Sequence, residues 1–163
     1  STATVSLAYR KEDFPHAPDS FGFVVPSAES RKIMACTFSS MKYAGRAPEG
    51  HLLLRAFVGG ALQPSLFEDD DETMESNVRQ ELASLLGVTA APLFSRLHRH
   101  PRSMPQYQVG HLNHVASIRS QLAAFPGLYL AGNAYNGIGV PDCVRSGEHA
   151  AEAILKYLQP GAC

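Results

Sequence analysis

The chain has 163 residues, 45% hydrophobic and 18% charged, enough for one domain with a core, or for one domain carrying a segment of another. Fourteen basic and 15 acidic residues leave a net charge of −1, which gives no electrostatic footprint for nucleic acid or anionic lipid. No apolar run approaches the roughly 20 residues of a membrane helix, and Ser1 to Thr4 lack the basic start of a signal peptide.

Ala3 to Tyr9 alternates apolar and polar residues, as a half-buried strand does. A chain that opens directly in a strand is expected to begin at an internal boundary of a longer protein. Lys11 to Ser20, with Pro15 and Pro18, reads as a loop, and Phe21 to Pro26 as an apolar strand ending in a polar turn at Ser27 to Ser30. Ile33 to Ser40 and Leu52 to Val58 are two further strands, joined through Gly45, Pro48 and Gly50. Four strands with short links imply an antiparallel sheet, closed by Gly59 and Gly60.

The acidic run Glu68 to Glu72 precedes a helical pattern, where negative charge suits the positive end of the helix dipole; it lacks the ligand spacing of a cation loop. The helix is predicted from Asp70 to Leu86, with Met74, Val78, Leu82 and Leu85 on one face and Gly87 ending it. Ala91 to Arg99 reads as a strand. It leads into His98-Arg-His-Pro-Arg102, which has no third ligand nearby and is read as an exposed strand end; no metal site is expected.

Gly110 to Ala124 is a second predicted helix, with Leu112, Val115, Ile118 and Leu122 on one face and Pro126-Gly127 as its stop. Leu128 to Ala131 then reads as a short buried strand. A helix follows from Ile138, its small and apolar positions continuing through Val144, Gly147, Ala151, Ile154 and Leu158, with Pro141 in the tolerant first turn. Gly132, Gly137 and Gly139, interleaved with Asn133 and Asn136, lie between strand and helix. Such a loop lets backbone approach a ligand, and the helix N–H groups form a positive pole for an anion or an electron-rich ring edge. An ordinary strand-to-helix turn would carry the same glycines. Gln159 to Cys163 is expected to fray. Cys36, Cys143 and Cys163 are odd in number and widely spaced, which fits a reducing, cytoplasmic setting without disulfides, and Cys143 reads as a small helix residue.

The run Ala131-Gly-Asn-Ala-Tyr-Asn-Gly-Ile-Gly-Val-Pro-Asp-Cys-Val-Arg-Ser-Gly147 resembles the closing motif of the protoporphyrinogen oxidase family, FAD enzymes of haem biosynthesis. Phe21-Gly-Phe-Val-Val-Pro26, Phe38-Ser-Ser40, Gly45-Arg-Ala-Pro-Glu-Gly50 and Met104-Pro-Gln-Tyr-Gln-Val-Gly-His111 agree with it in order, so the resemblance spans nearly the whole chain. The strand–GxGxxG–helix unit with which that family opens does not occur here. The resemblance therefore implies the C-terminal portion of the enzyme, inactive by itself.

It implies an α+β fold: a mainly antiparallel, substrate-side sheet domain portion over residues 1–108, then, over 109–163, a helix and a strand–loop–helix belonging to an FAD-binding domain. The implied reaction is oxidation of protoporphyrinogen IX to protoporphyrin IX with FAD as hydride acceptor. By the same resemblance Asn133, Ile138, Gly139 and Val140 face the flavin, largely through backbone, while Val24 and Tyr43 are apolar walls for the tetrapyrrole. No catalytic acid, base or nucleophile is singled out, since the cofactor carries the chemistry. The implied partners are the tetrapyrrole and the N-terminal FAD domain, with self-association and peripheral membrane association of the parent enzyme as further expectations. This chain departs from the family at His100, where a tryptophan is usual, and at Met41-Lys-Tyr43, which replaces Ser-Leu-Phe. Lys42 or Arg46 could pair with a propionate, or simply be a solvated turn charge. Two other readings are a self-contained, non-catalytic module for a hydrophobic ligand or a protein, and part of a related flavin amine oxidase or desaturase.

Overall fold

The computed structural model describes residues 1–16 and 18–159. The fraying expected from Gln159 to Cys163 thus concerns residues that, after Gln159, lie outside the described ones. The chain divides into two compact units, Ser1–Ser103 and Met104–Cys163.

In the first unit, β1 (Thr2–Arg10), β2 (Gly22–Val24), β3 (Ala35–Phe38), β4 (His51–Gly59) and β5 (Phe94–His100) form one sheet in the order β2-β3-β4-β1-β5. Every neighbouring pair is antiparallel. The short helices α1 (Ser39–Lys42) and α2 (Ser65–Glu68) and the long helix α3 (Asp71–Leu86) complete the unit.

The sheet's inner face follows from the two-residue period of its strands. Ala3, Val5, Leu7 and Tyr9 of β1 alternate inward and are buried, as are Leu52, Leu54, Ala56 and Val58 of β4. Cys36 and Phe38 of β3 extend the same surface. Against it lie Met74, Val78 and Leu82 of α3, four residues apart and fully buried, so that one stripe of the helix covers one face of the sheet. Leu85, expected on that stripe, stays exposed, and Leu86 packs on the core instead.

The acidic run before α3 is a helix start. Asp70 is the N-cap, its carboxylate accepting from Thr73 N at 2.8 Å and from the Thr73 hydroxyl at 2.7 Å. The Thr73 backbone N–H is the first cause that holds the Asp70 carboxyl below its ordinary range. Gly87 ends the helix at φ 72°, in the left-handed conformation that suits a C-cap.

Three strands differ in extent from expectation, the one expected over Ala91–Arg99 running from Phe94 to His100. The strand expected over Ile33–Ser40 ends at Phe38, because Ser39 begins α1 and the Ser40 hydroxyl accepts a hydrogen bond from Leu53 N at 3.0 Å. The strand expected over Phe21–Pro26 contracts to Gly22–Val24. Gly22 sits at φ 139°, and a Cβ there would lie 2.2 Å from the Cys36 carbonyl oxygen, so the close approach of β2 to β3 admits only glycine.

In the second unit, α4 (His111–Leu122) starts after Gly110, and α5 (Val140–Leu158) runs 19 residues with no buried residue. Of the stripe expected on α4, only Val115 is buried, and Leu112 is exposed. The expected buried strand Leu128–Ala131 is not formed. These residues pair in no ladder among the described residues, and Leu128 and Tyr129 are exposed. A strand exists only through hydrogen bonds to a neighbour, and an apolar run without one remains an extended segment.

Candidate flavin-contact loop and substrate-side sheet

The loop between Leu130 and α5 is tied at several points. Tyr107 donates its hydroxyl to the Asn133 carbonyl at 2.6 Å and accepts from Gly137 N at 2.9 Å, bridging the two ends of the turn. His111 lies under Tyr107, ring centroids 3.9 Å apart and planes 8° from parallel, and its Nε2 bonds to the Tyr135 carbonyl at 3.0 Å. That nitrogen must carry the proton, because a carbonyl oxygen only accepts. On the other side, the Ser146 hydroxyl of α5 accepts from Gly132 N at 3.0 Å.

Gly139 is the N-cap of α5 and no side chain caps the helix. Its carbonyl accepts from Cys143 N at 3.0 Å, the first bond of the helix. Pro141 has no N–H, so Val140 and Asp142 carry the N–H groups that the first turn leaves without intrahelical partners. Asp142 packs beneath the loop: a Cβ at Gly137, which sits at φ 134°, would fall 2.5 Å from its carboxylate, and one at Gly139 would fall 3.1 Å away. Arg145 balances that carboxylate at 3.1 Å. Outward, Ile138 and Val140 are 49% and 77% exposed, and nothing stands within 4 Å of a Cβ placed at Gly132. The four loop residues singled out in the sequence thus share one segment, with backbone donors at a helix N-terminus and apolar side chains turned to solvent. That donor set fits the carbonyl-bearing edge and apolar face of a flavin ring.

The candidate substrate walls lie in the first unit, on different segments. Val24 stands on the sheet face opposite α3, 81% exposed. It also borders a groove of about 640 Å³ with Met34, Ala61 and Leu62, a groove that Tyr43 does not line. Tyr43 follows α1 and carries two cations over its ring, Lys42 Nζ at 5.5 Å and Arg46 Cζ at 5.7 Å from the centroid. Both cations lie within cation–π range of the ring, and Lys42, Tyr43 and Arg46 are all exposed, as turn residues are. His98 and His100 stack edge-on, centroids 4.6 Å apart, and no group of three metal-ligating side chains forms among the described residues.

Sequence reasoning missed the roles of Tyr107, His111 and Ser146. The Met104–His111 run was legible as a motif, but its purpose, holding a loop more than 20 residues downstream, needs the tertiary fold.

The family model for flavin containing amine oxidoreductases matches residues 1–155. The coproporphyrinogen III oxidase of Staphylococcus aureus is 34% identical over 159 residues, 97% of this chain and 34% of that protein. The protoporphyrinogen oxidase of Macaca fascicularis is 32% identical over 163 residues, 95% of this chain and 33% of that protein. Among solved structures, a candidate protoporphyrinogen oxidase of Exiguobacterium sp. 255-15 superposes with a TM-score of 0.82 at 37% identity, covering 97% of this chain and 34% of that one. The chain spans about a third of the length of the curated relatives it matches.

Proposed function

The chain belongs to the flavin containing amine oxidoreductase family, and on that footing we propose that it is the C-terminal portion of an FAD-dependent porphyrinogen oxidase. The observation that carries this reading is the Asn133–Val140 loop, tied down by Tyr107 and opening a helix whose first N–H groups have no side-chain cap.

When bound, FAD supplies hydride acceptance. The residues of this chain do the rest of what the reading asks. Gly139 leaves room for backbone approach, the N–H groups of Val140 and Asp142 donate to an oxygen or nitrogen at the ring edge, and Ile138 and Val140 exclude water from its face. Tyr107 and His111 fix the loop before the cofactor arrives, so little ordering remains for binding to supply. The first unit offers the substrate an extended sheet face bearing Val24, and we assign it to the substrate side and the second unit to the cofactor side.

The test uses the complete gene product. Incubated with coproporphyrinogen III or protoporphyrinogen IX, it should generate porphyrin fluorescence well above the rate of spontaneous oxidation, while the 163-residue chain alone should not. A complete, flavin-loaded protein that oxidises neither porphyrinogen would overturn the reading in favour of another amine oxidoreductase substrate.

A further inference from the structure

The sheet face turned away from α3 has a charge pattern that its fold does not use. The five strands contain no aspartate or glutamate. Arg99, on the face toward α3, is fully engaged: it bonds to Asp71 at 2.6 Å and to the backbone carbonyls of Phe67 and Asp69. Arg55 and Arg96 have the opposite parity and are exposed, and neither enters an ion pair among the described residues.

Strand register places these two arginines in one row. Reading across the sheet, Gly22 pairs with Thr37, Thr37 with Arg55, Arg55 with Ser6, and Ser6 with Arg96. The guanidinium-bearing residues therefore flank a small serine, their Cα atoms roughly 10 Å apart at the usual strand spacing. On one side of this row runs Val24, Ala35, Phe57, Thr4 and His98, and on the other Leu53, Ala8 and Phe94. A polar row with two arginines thus crosses a mainly apolar face; at the sheet edge Arg96 also borders a groove lined by Asp71, Glu72 and Glu75 of α3 but forms no ion pair with them. Two like charges held on one face without a carboxylate repel each other unless an anion lies between them. Apolar neighbours on both sides favour an anion carried on an apolar body over a nucleic-acid backbone.

We propose that Arg55 and Arg96 receive peripheral carboxylates of the tetrapyrrole, its ring laid across the flanking apolar rows, and that this pair favours the carboxylate-richer coproporphyrinogen over protoporphyrinogen, which has vinyl groups in place of two propionates. Guanidinium matches a carboxylate in a fork geometry that lysine cannot reproduce. The inference rests on the porphyrinogen oxidase reading and deepens it. Arg55 and Arg96 are specificity residues here, distinct from the loop that faces the flavin.

The test is a fluorescence titration of the complete flavoprotein with two stable products, coproporphyrin III and protoporphyrin IX. The unmutated protein should bind coproporphyrin III more tightly. Arg55→Gln and Arg96→Gln should each weaken coproporphyrin III roughly tenfold and protoporphyrin IX much less, with flavin absorbance unchanged. Arg55→Lys should recover only part of the loss. Variants that bind coproporphyrin III as the unmutated protein does, or that weaken both porphyrins equally, overturn the inference. Absence of porphyrinogen oxidation by the unmutated protein overturns the functional reading instead.

Discussion

Tyr107 lies flat on His111, ring centroids 3.9 Å apart and planes 8° from parallel, so one stacked pair ties the glycine-rich loop at Asn133, Tyr135 and Gly137. The Tyr107 hydroxyl serves Asn133 and Gly137, and His111 serves Tyr135. Tyr107→Phe keeps the stack and removes two hydrogen bonds, each worth about 1 kcal/mol. In the complete protein this change should lower flavin content without unfolding the first unit. Tyr107→Ala should lower it further, because the stack contributes about another 1 kcal/mol. Flavin-to-protein absorbance ratios read the series, and equal ratios for all three proteins would show that the loop is held by other means.

Stability at high pH is set by two buried acids. Burial in the core, first among the causes, pushes Tyr9 from an ordinary 10.0 up to about 12 and Cys36 from 9.0 up to about 12. The native state thus retains protons that the unfolded chain releases. Below pH 9 both states hold them and stability is flat; between about pH 9 and 12 the unfolded state binds fewer protons and stability falls. Cys36→Val should delay the onset toward the Tyr9 range, read as the urea midpoint at successive pH values. Loss of stability already near pH 7 from these groups would contradict the assignment.

Core substitutions should be unequal. Leu82 is fully buried between α3 and the sheet, so Leu82→Ala should cost about 2–5 kcal/mol. Leu112 of α4 is 75% exposed, and Leu112→Ala should stay within about 0.5 kcal/mol. Chemical denaturation of the two variants decides this; similar losses would mean that Leu112 is covered.

The isolated 163-residue chain should self-associate. Leu128–Ala131 has no ladder partner among the described residues, and Val144, Leu155 and Leu158 of α5 are exposed. Light scattering across a dilution series should show mass rising with concentration. A strictly monomeric, cooperatively folding chain would show that these apolar groups need no cover.

What the sequence made legible was what local chemistry encodes. Alternation in β1 reports burial directly, and α3 is bounded by an aspartate that accepts from Thr73 and a glycine that adopts a positive φ. The segment Leu128–Ala131 has a strand's composition but no ladder partner among the described residues, because strand formation depends on a neighbour. Asn133, Ile138, Gly139 and Val140 were legible through their motif, but the Tyr107 bridge was not, since it joins residues 26 apart. Arg55 and Arg96 escaped notice for the same reason. Only the register that sets both against Ser6 makes them a pair.

Whether the loop before α5 touches the flavin can be read at Gly139. This residue has an ordinary backbone conformation at φ −70°, so substitution adds a side chain without imposing left-handed strain. In the complete protein Gly139→Leu sets a Cβ 3.1 Å from the Asp142 carboxylate that packs beneath the loop, so the loop must shift from the ring edge, and the absorbance near 450 nm, roughly where oxidised flavins absorb, should fall together with porphyrin production. A Gly139→Leu protein that folds, stays yellow and keeps its rate would show that this loop is not a flavin contact.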